Sequence, residues 1–185
     1  IVHVGPKGFQ KVGHICFAYD DIVYSYGNYD SDSFHLNQTI GDGIFFTVPL
    51  EKYIPNMISA ENNSIFEYGI YTTSKQNALI EKEIEKIRQN GYRWYTKIEK
   101  EDGYDRFSEY EMDYPSRLHY RTGAKLYKVK SGKFHIYWAL GDNCASFTDL
   151  VLGTLGADVL SIRGIISPGT YLDWLQKEYL KKNSP

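Results

Sequence analysis

The chain has 185 residues, of which 42% are hydrophobic, and its formal net charge at pH 7 is −2. This length and composition are typical of one folded domain with a hydrophobic core and exclude a disordered chain. The charge is not that of a typical nucleic-acid-binding protein, and no apolar run approaches the ~20 residues of a membrane span. We therefore expect a single domain over residues 1–185, with no nucleic-acid partner and no transmembrane segment.

The first part of the chain predicts mainly strands. Residues 12–19 and Ile22–Gly27 are strand-like and flank Asp20-Asp21, which predicts a β-hairpin with a tight turn. The other predictions here are a short strand and a Gly/Pro turn within 1–10, a loop over 28–43, a strand over 44–48 ended by Pro49, a helical turn over 50–58 and a strand over 64–72.

The clearest helix begins near Thr73 and ends at Asn90-Gly91. Three isoleucines at i, i+4, i+7 spacing give this helix one buried face, and charges fill the other. Residues 95–120, which follow it, are charged and rich in tyrosine. They predict either a flap over a cleft or a surface insertion.

The last part of the chain predicts a second hairpin and two more helices. The predicted elements are strands over 124–129 and 133–140 around Ser131-Gly132, a buried helix from Cys144 to a stop at Gly156, and a final helix from Ser167-Pro168 that buries Leu172, Leu175 and Tyr179. This order of elements predicts an α+β domain whose antiparallel sheet packs against the buried helix that starts with a cysteine.

That cysteine, Cys144, is the candidate nucleophile. It follows Asp142 and Asn143, which are ordinary residues at a helix N-cap. The partial positive charge at a helix N-terminus favours the thiolate, the reactive form of cysteine. The backbone N–H of Cys144, together with the Asn143 or Asp142 region, supplies candidate oxyanion donors.

The predicted hairpin supplies a candidate base. If Asp20-Asp21 are the two turn residues, His14 lies opposite Gly27, and Ser25 lies diagonal to His14 on the same face of the sheet. A one-residue change in the turn would move Ser25 to the other face. The sequence therefore pairs His14 with Ser25 through one specific register.

A Cys-His pair needs an imidazole to take the thiol proton and a third polar group to hold the ring in the right tautomer. We expect His14 to be the base. Ser25 is the first choice for the third group and Asn28 the second. His135, in a strand next to the cysteine segment, is the alternative base.

Each of these residues also has a structural interpretation. A lone cysteine such as Cys144 is usually a small buried hydrophobe, and Cys16, in mid-strand, is expected in the core. The 17 tyrosines are expected mainly to cover half-buried surface. The two cysteines form no CxxC motif and there is no HxxxH motif, so we expect no metal site and no cofactor.

Four short motifs occur in an order that is typical of a known family. They are Gly13-His14 opening a strand, Ser25-Tyr26-Gly27 ending a strand, Asn143-Cys144 heading a helix and Pro168-Gly169 near the terminal helix. This combination resembles the circularly permuted branch of the NlpC-type papain-like cysteine hydrolases, in which histidine precedes cysteine. The likeness covers about 10–30 and 136–175. The members of the branch include bacterial type VI secretion effectors that hydrolyse peptidoglycan.

The resemblance implies a permuted papain-like fold with Cys144 as nucleophile and His14 as base. It implies a hydrolase that cleaves amide bonds in peptidoglycan stem peptides through a thioester. It further implies a bacterial protein that a secretion apparatus exports without a signal peptide, that acts in the periplasm of a target cell, and that an immunity protein neutralises in the producer.

Other functions remain open at this point. The same fold and nucleophile suit a lipid-ester hydrolase or acyltransferase, or a host-protein-directed protease or deamidase. A lipid substrate predicts an exposed apolar patch near Cys144, whereas peptidoglycan predicts a polar, tyrosine-lined groove. A non-catalytic binding module, with Cys144 simply buried, is the alternative from a different class.

Overall fold

The computed structural model describes residues 1–5, 13–101, 108–155 and 167–183. The strands in these ranges are β1 (Val2–Val4), β2 (His14–Ile15), β3 (Phe17–Tyr19), β4 (Ile22–Gly27), β5 (Ile40–Asp42), β6 (Ile44–Pro49), β7 (Ser64–Phe66), β8 (Gly91–Trp94), β9 (Lys125–Val129) and β10 (Ile136–Trp138). The helices are α1 (Leu50–Pro55), α2 (Ser74–Gln89), α3 (Lys97–Lys100), α4 (Tyr114–Thr122), α5 (Cys144–Leu152) and α6 (Pro168–Asn183). Most of the predicted Gly/Pro turn, the start of the strand predicted over 12–19, the stop at Gly156 and part of 95–120 lie outside the described residues.

The predicted hairpin is present and forms one edge of the main sheet. β3 and β4 pair antiparallel with Tyr19 opposite Ile22, in the expected register. Both turn residues, Asp20 and Asp21, have positive φ angles of 50° and 57°, as a two-residue type I′ turn requires. The strands of the main sheet follow the order β3-β4-β6-β9-β8, and every neighbouring pair in it is antiparallel.

The first strand of this hairpin is broken, contrary to the continuous strand predicted over 12–19. β2, which holds His14, pairs with β1 in a separate sheet ordered β2-β1-β7, whereas β3 stays in the main sheet. At the break, the backbone N–H of Cys16 donates to the carbonyl oxygen of Ile1 at 3.0 Å. His14 therefore lies where the two sheets meet.

Helices cover both faces of the main sheet. On one face, Tyr24, Tyr26 and Phe45 pack against α2 and against Phe147 and Val151 of α5. On the opposite face, buried side chains of β4 and β6 pack against α1 and α4. The coarse prediction is confirmed, because this is an α+β fold with an antiparallel sheet against the cysteine helix.

The predicted second hairpin is wrong. β9 lies between β6 and β8, whereas β10 pairs with β5, inside the segment predicted as a loop over 28–43. Phe134 turns the chain away: it is buried, its φ is +69°, and its carbonyl oxygen accepts a hydrogen bond from the Tyr26 hydroxyl at 3.0 Å. The next carbonyl, of His135, accepts from the Gly43 N–H at 2.8 Å. The chain thus leaves the main sheet and reaches α5 by way of a two-stranded sheet.

The predicted long helices are present, with differences at their ends. α2 is capped by Thr73 and ends before Asn90, as expected. α6 buries Tyr171 and Leu175, but Tyr179 is 58% exposed, contrary to the prediction. None of the helices in the described part of the chain is long and apolar enough to cross a bilayer.

The charged segment 95–120 belongs in part to the body of the protein. Its described residues include α3 and α4, which bury Ile98 and Leu118. The strand predicted over 64–72 is shorter than expected, because only Ser64–Phe66 pairs with β1.

Candidate active site

A cleft of about 650 Å³ contains both candidate catalytic residues, His14 and Cys144. Its walls come from β1 and β2, the segment after β4, the β10 region and the start of α5. Other lining residues that matter below are His3, Asn28, Tyr29, Glu61, Tyr114, Tyr137, Trp138, Leu140 and Asn143. The fold therefore brings the predicted base and nucleophile to one surface.

Asn143 holds the first turn of α5 in place. Its side-chain oxygen accepts hydrogen bonds from the N–H groups of Ala145 and Ser146 at 3.0 and 3.1 Å. Its side-chain amide donates to the carbonyl oxygen of Ala139 at 3.0 Å. Cys144 is consequently the first residue of the helix, and its side chain is directed by a well-satisfied N-cap.

The thiol of Cys144 is protonated at neutral pH. The residue is only 4% exposed, and this burial raises the pKa of the Cys144 thiol from 9.0 to about 11. Hydrogen bonds from the backbone N–H groups of Ile15, Ala145 and Cys144 itself oppose the rise in the pKa but do not cancel it. The prediction that the helix N-terminus favours the thiolate of Cys144 is therefore wrong, since the desolvation of the buried thiolate outweighs the effect of the helix charge.

His14 does not pair with Gly27 as predicted, because it lies opposite His3 in the other sheet, but its ring still contacts Ser25, the first choice for the third group. Its Nε2 lies 2.7 Å from the hydroxyl oxygen of Ser25, which is fully buried. Burial lowers the pKa of the His14 imidazole from 6.5 to about 4, so the ring is neutral at pH 7. When the neutral ring carries its proton on Nε2 and donates it to Ser25, Nδ1 is the nitrogen that can take a further proton.

Tyr29 extends this hydrogen-bonded pair toward the cleft. Its hydroxyl oxygen lies 3.2 Å from the hydroxyl oxygen of Ser25, and the residue lines the cleft. The sequence analysis had placed Ser25 at the third position but had not identified Tyr29.

His3 is a second histidine beside the candidate base, and the sequence analysis missed it. β1 and β2 pair with His3 opposite His14, and the two ring centroids are 5.0 Å apart. The Nε2 atom of His3 lies 3.0 Å from the Tyr53 hydroxyl oxygen, and burial holds the pKa of His3 well below its usual value. No local pattern marks His3, because its place depends on a strand pairing that only the structure reveals.

The remaining sequence candidates make other contacts. Asp142 does not line the cleft, and its carboxylate accepts from the Phe134 N–H at 3.4 Å. Asn28 lines the cleft, but its amide donates to the carbonyl oxygen of Gln38 at 2.7 Å. His135 is exposed outside the cleft, where its Nδ1 donates to a backbone carbonyl at 2.8 Å.

Cys16 lies in the core rather than in the cleft. Its sulfur is 3.8 Å from the Tyr53 hydroxyl oxygen, and burial raises the pKa of its thiol. Both cysteines are free thiols. Across the described ranges, no three His, Cys, Asp or Glu side chains are grouped closely enough to hold a metal ion.

The cleft is aromatic and carries little charge. Its aromatic lining includes Tyr29, Tyr114, Tyr137 and Trp138. Among the described lining residues there is no lysine or arginine, and the one carboxylate, Glu61, is paired with Arg121 at 2.8 Å. Trp138 and Leu140 are 48% and 57% exposed and form an apolar rim beside Cys144.

Comparison of the chain with protein-family models, with curated proteins and with solved structures gave no match.

Proposed function

We propose that the protein is a cysteine hydrolase that cleaves an amide bond at Cys144. The observation that carries this proposal is that Cys144 and His14 line one cleft, where the Cys144 sulfur accepts a hydrogen bond from the N–H of Ile15, the residue next to His14. A structural cysteine has no need of a neighbouring histidine whose ring is itself oriented by a hydrogen bond, as that of His14 is by Ser25.

The protonation states favour general-base attack over a preformed ion pair. Because Cys144 rests as a thiol and His14 as a neutral imidazole, Nδ1 of His14 takes the thiol proton while the sulfur attacks the substrate carbonyl carbon. The negative charge moves to the carbonyl oxygen, where the backbone N–H of Cys144 is the candidate donor, because those of Ala145 and Ser146 donate to Asn143.

The intermediate then collapses to a thioester. The amine leaves with the proton that His14 holds, which restores the neutral imidazole. His14 next removes a proton from a water molecule, and the resulting attack on the thioester releases the acid and regenerates the thiol of Cys144. The cycle consumes one amide and one water and needs no metal or cofactor.

The proposed substrate is a peptidoglycan stem peptide, and the proposed role is that of a secreted antibacterial effector. The likeness of Gly13-His14, Ser25-Tyr26-Gly27 and Asn143-Cys144 to the permuted NlpC-type branch supports this choice. So do the tyrosines of the cleft. The proposal includes a bacterial secretion apparatus for export, action in the periplasm of the target cell and an immunity protein in the producer.

A second candidate function has an observation in its favour. The half-exposed side chains of Trp138 and Leu140 beside Cys144 form the kind of apolar rim that a lipid substrate predicts. A cleft lining without lysine or arginine among its described residues is likewise better suited to a neutral acyl chain than to the carboxylates of a peptide. Lipid-ester hydrolysis or acyl transfer by the same Cys144 and His14 is therefore the alternative.

Digestion of purified peptidoglycan, with mass spectrometry of the products, tests the first candidate. Wild type is expected to release defined fragments, and Cys144→Ala and His14→Ala are expected to release none. Cys16→Ala and His135→Ala are matched controls that remove the same residue types outside the cleft, and both are expected to keep activity.

The same variants are then incubated with phospholipid vesicles, and released fatty acid is measured. Intact peptidoglycan together with Cys144-dependent fatty-acid release selects the lipid candidate. Activity that survives in Cys144→Ala on either substrate contradicts the assignment of the nucleophile.

A further inference from the structure

Ser25 alone does not determine which nitrogen of His14 carries the proton. A serine hydroxyl both donates and accepts, so the 2.7 Å contact fits a ring protonated on Nε2 or on Nδ1. Only the first form works as a base, because Nδ1 must keep its lone pair to take the thiol proton of Cys144. Something beyond Ser25 has to set the direction of this hydrogen bond.

Tyr29 can do so when its hydroxyl oxygen accepts the single O–H of Ser25, because Ser25 then has no proton left to donate to Nε2 and can only accept from it. Its hydroxyl oxygen is 3.2 Å from that of Ser25, and its ring packs between Phe46 and Tyr114, with centroid distances of 5.4 and 5.9 Å. These two aromatic contacts leave the ring little freedom to turn away. Tyr29 also lines the cleft, so it joins the buried Ser25 to a residue that a substrate would meet.

We propose that Tyr29 is a positioning residue that, through Ser25, holds His14 in its catalytically competent tautomer. In this arrangement Nε2–H of His14 donates to the Ser25 hydroxyl oxygen, and the Ser25 O–H donates to the Tyr29 hydroxyl oxygen. The Tyr29 O–H is then directed into the cleft, where water or a substrate oxygen accepts it. The proposal rests on the proposed function in assigning His14 as the base.

If both hydrogen bonds ran in the opposite direction, His14 would not be able to act as a base. If the Tyr29 O–H donated to Ser25 and Ser25 donated to Nε2, the ring proton would sit on Nδ1 and the ring could not accept the thiol proton. A substrate oxygen that accepts from Tyr29 favours the competent direction. Occupation of the cleft and readiness of the base are thereby linked through two hydroxyl groups.

Nitrogen NMR of the histidine side chains tests this at pH 7, where His14 is neutral. The His14 signals are identified by their loss in His14→Gln. In wild type, Nε2 is expected at the shift of a protonated ring nitrogen and Nδ1 at that of an unprotonated one. In Tyr29→Phe both signals are expected to move toward the average of the two tautomers.

Two comparisons separate positioning from packing. Tyr114→Phe removes the hydroxyl of the neighbouring, stacked tyrosine and is expected to leave the His14 shifts unchanged. In Ser25→Ala, which severs the connection, adding Tyr29→Phe is expected to change nothing further, because the two residues act in series. Unchanged His14 shifts in Tyr29→Phe, or a Tyr29→Phe effect that persists in Ser25→Ala, would overturn the proposal.

The readout is independent of any substrate. If no substrate is cleaved but the shifts change as described, the proposed function fails and the role of Tyr29 stands. With an active substrate, Tyr29→Phe is expected to lower kcat about tenfold, the effect of one lost hydrogen bond of ~1.4 kcal/mol. A loss of kcat on adding Tyr29→Phe to Ser25→Ala would contradict the positioning role.

Discussion

The buried thiol of Cys144 predicts an unusual pH profile for its alkylation. The residue is 4% exposed, and burial raises the pKa of its thiol from 9.0 to about 11. A shift of two units lowers the thiolate fraction at pH 7 about a hundredfold and corresponds to ~3 kcal/mol in favour of the thiol. The rate of reaction with iodoacetamide should therefore rise about tenfold per pH unit from pH 6 to 9.5, with no plateau.

The assay uses Cys16→Ala, so that Cys144 is the only thiol, and quantifies the labelled peptide by mass spectrometry. A short peptide containing the Cys144 segment provides the reference and should level off near pH 9. Since access to a buried sulfur also slows labelling, the shape of the profile is the result to compare, rather than the absolute rate.

The His14→Gln variant tests whether His14 stabilises a thiolate at Cys144. A neutral imidazole carries no charge that would stabilise a thiolate, so the profile of this variant should match that of the parent. A plateau between pH 6 and 8 that disappears in His14→Gln would reveal a thiolate–imidazolium pair. That outcome would refute the argument that desolvation dominates at this site.

Four further predictions concern stability and substrate choice. Because the His14 pKa falls from 6.5 in the unfolded chain to about 4 in the folded one, its contribution to stability is present above pH 6.5 and declines as the pH drops toward 4. Urea denaturation of the wild type should show a loss of about 3 kcal/mol in the free energy of unfolding over this pH range, and the loss should be smaller in His14→Gln. Asn143→Ala removes two hydrogen bonds at the start of α5 and should lower the free energy of unfolding by ~1–2 kcal/mol, whereas a value near zero would contradict its capping role. Phe147→Ala leaves a cavity beside Tyr26, whose ring centroid is 5.0 Å away, and should cost ~3–5 kcal/mol in the same measurement. Trp138→Ala should change stability by less than ~0.5 kcal/mol because the side chain is half exposed, and vesicle binding that weakens in this variant would favour the lipid candidate.

The features that the sequence predicts well are local. The strand residues around Asp20-Asp21 determine the register of β3 and β4, as predicted. The contact between His14 and Ser25 also depends on the break at Cys16 and on the pairing of β2 with β1. The N-cap at Asn143 is equally local, because a side chain three residues or fewer from its partners decides it.

The features that the sequence does not predict depend on distant contacts. Nothing near Phe134 indicates that its burial and positive φ angle send β10 to pair with β5 instead of β9. His3 reaches His14 only because β1 pairs with β2. The pKa of Cys144 is raised by the burial of its sulfur, which is a property of packing. The charge at the helix N-terminus alone therefore predicts a pKa shift in the wrong direction.

The separation of His14 and Cys144 by more than a hundred residues has a consequence for biosynthesis. His14, Ser25 and Tyr29 leave the ribosome more than a hundred residues before Cys144 and its helix. Contacts between such distant segments form late in folding, because the long intervening loop must first be closed. A nascent chain thus holds the proposed base before the proposed nucleophile, and the two come together only after α5 has docked on the sheet.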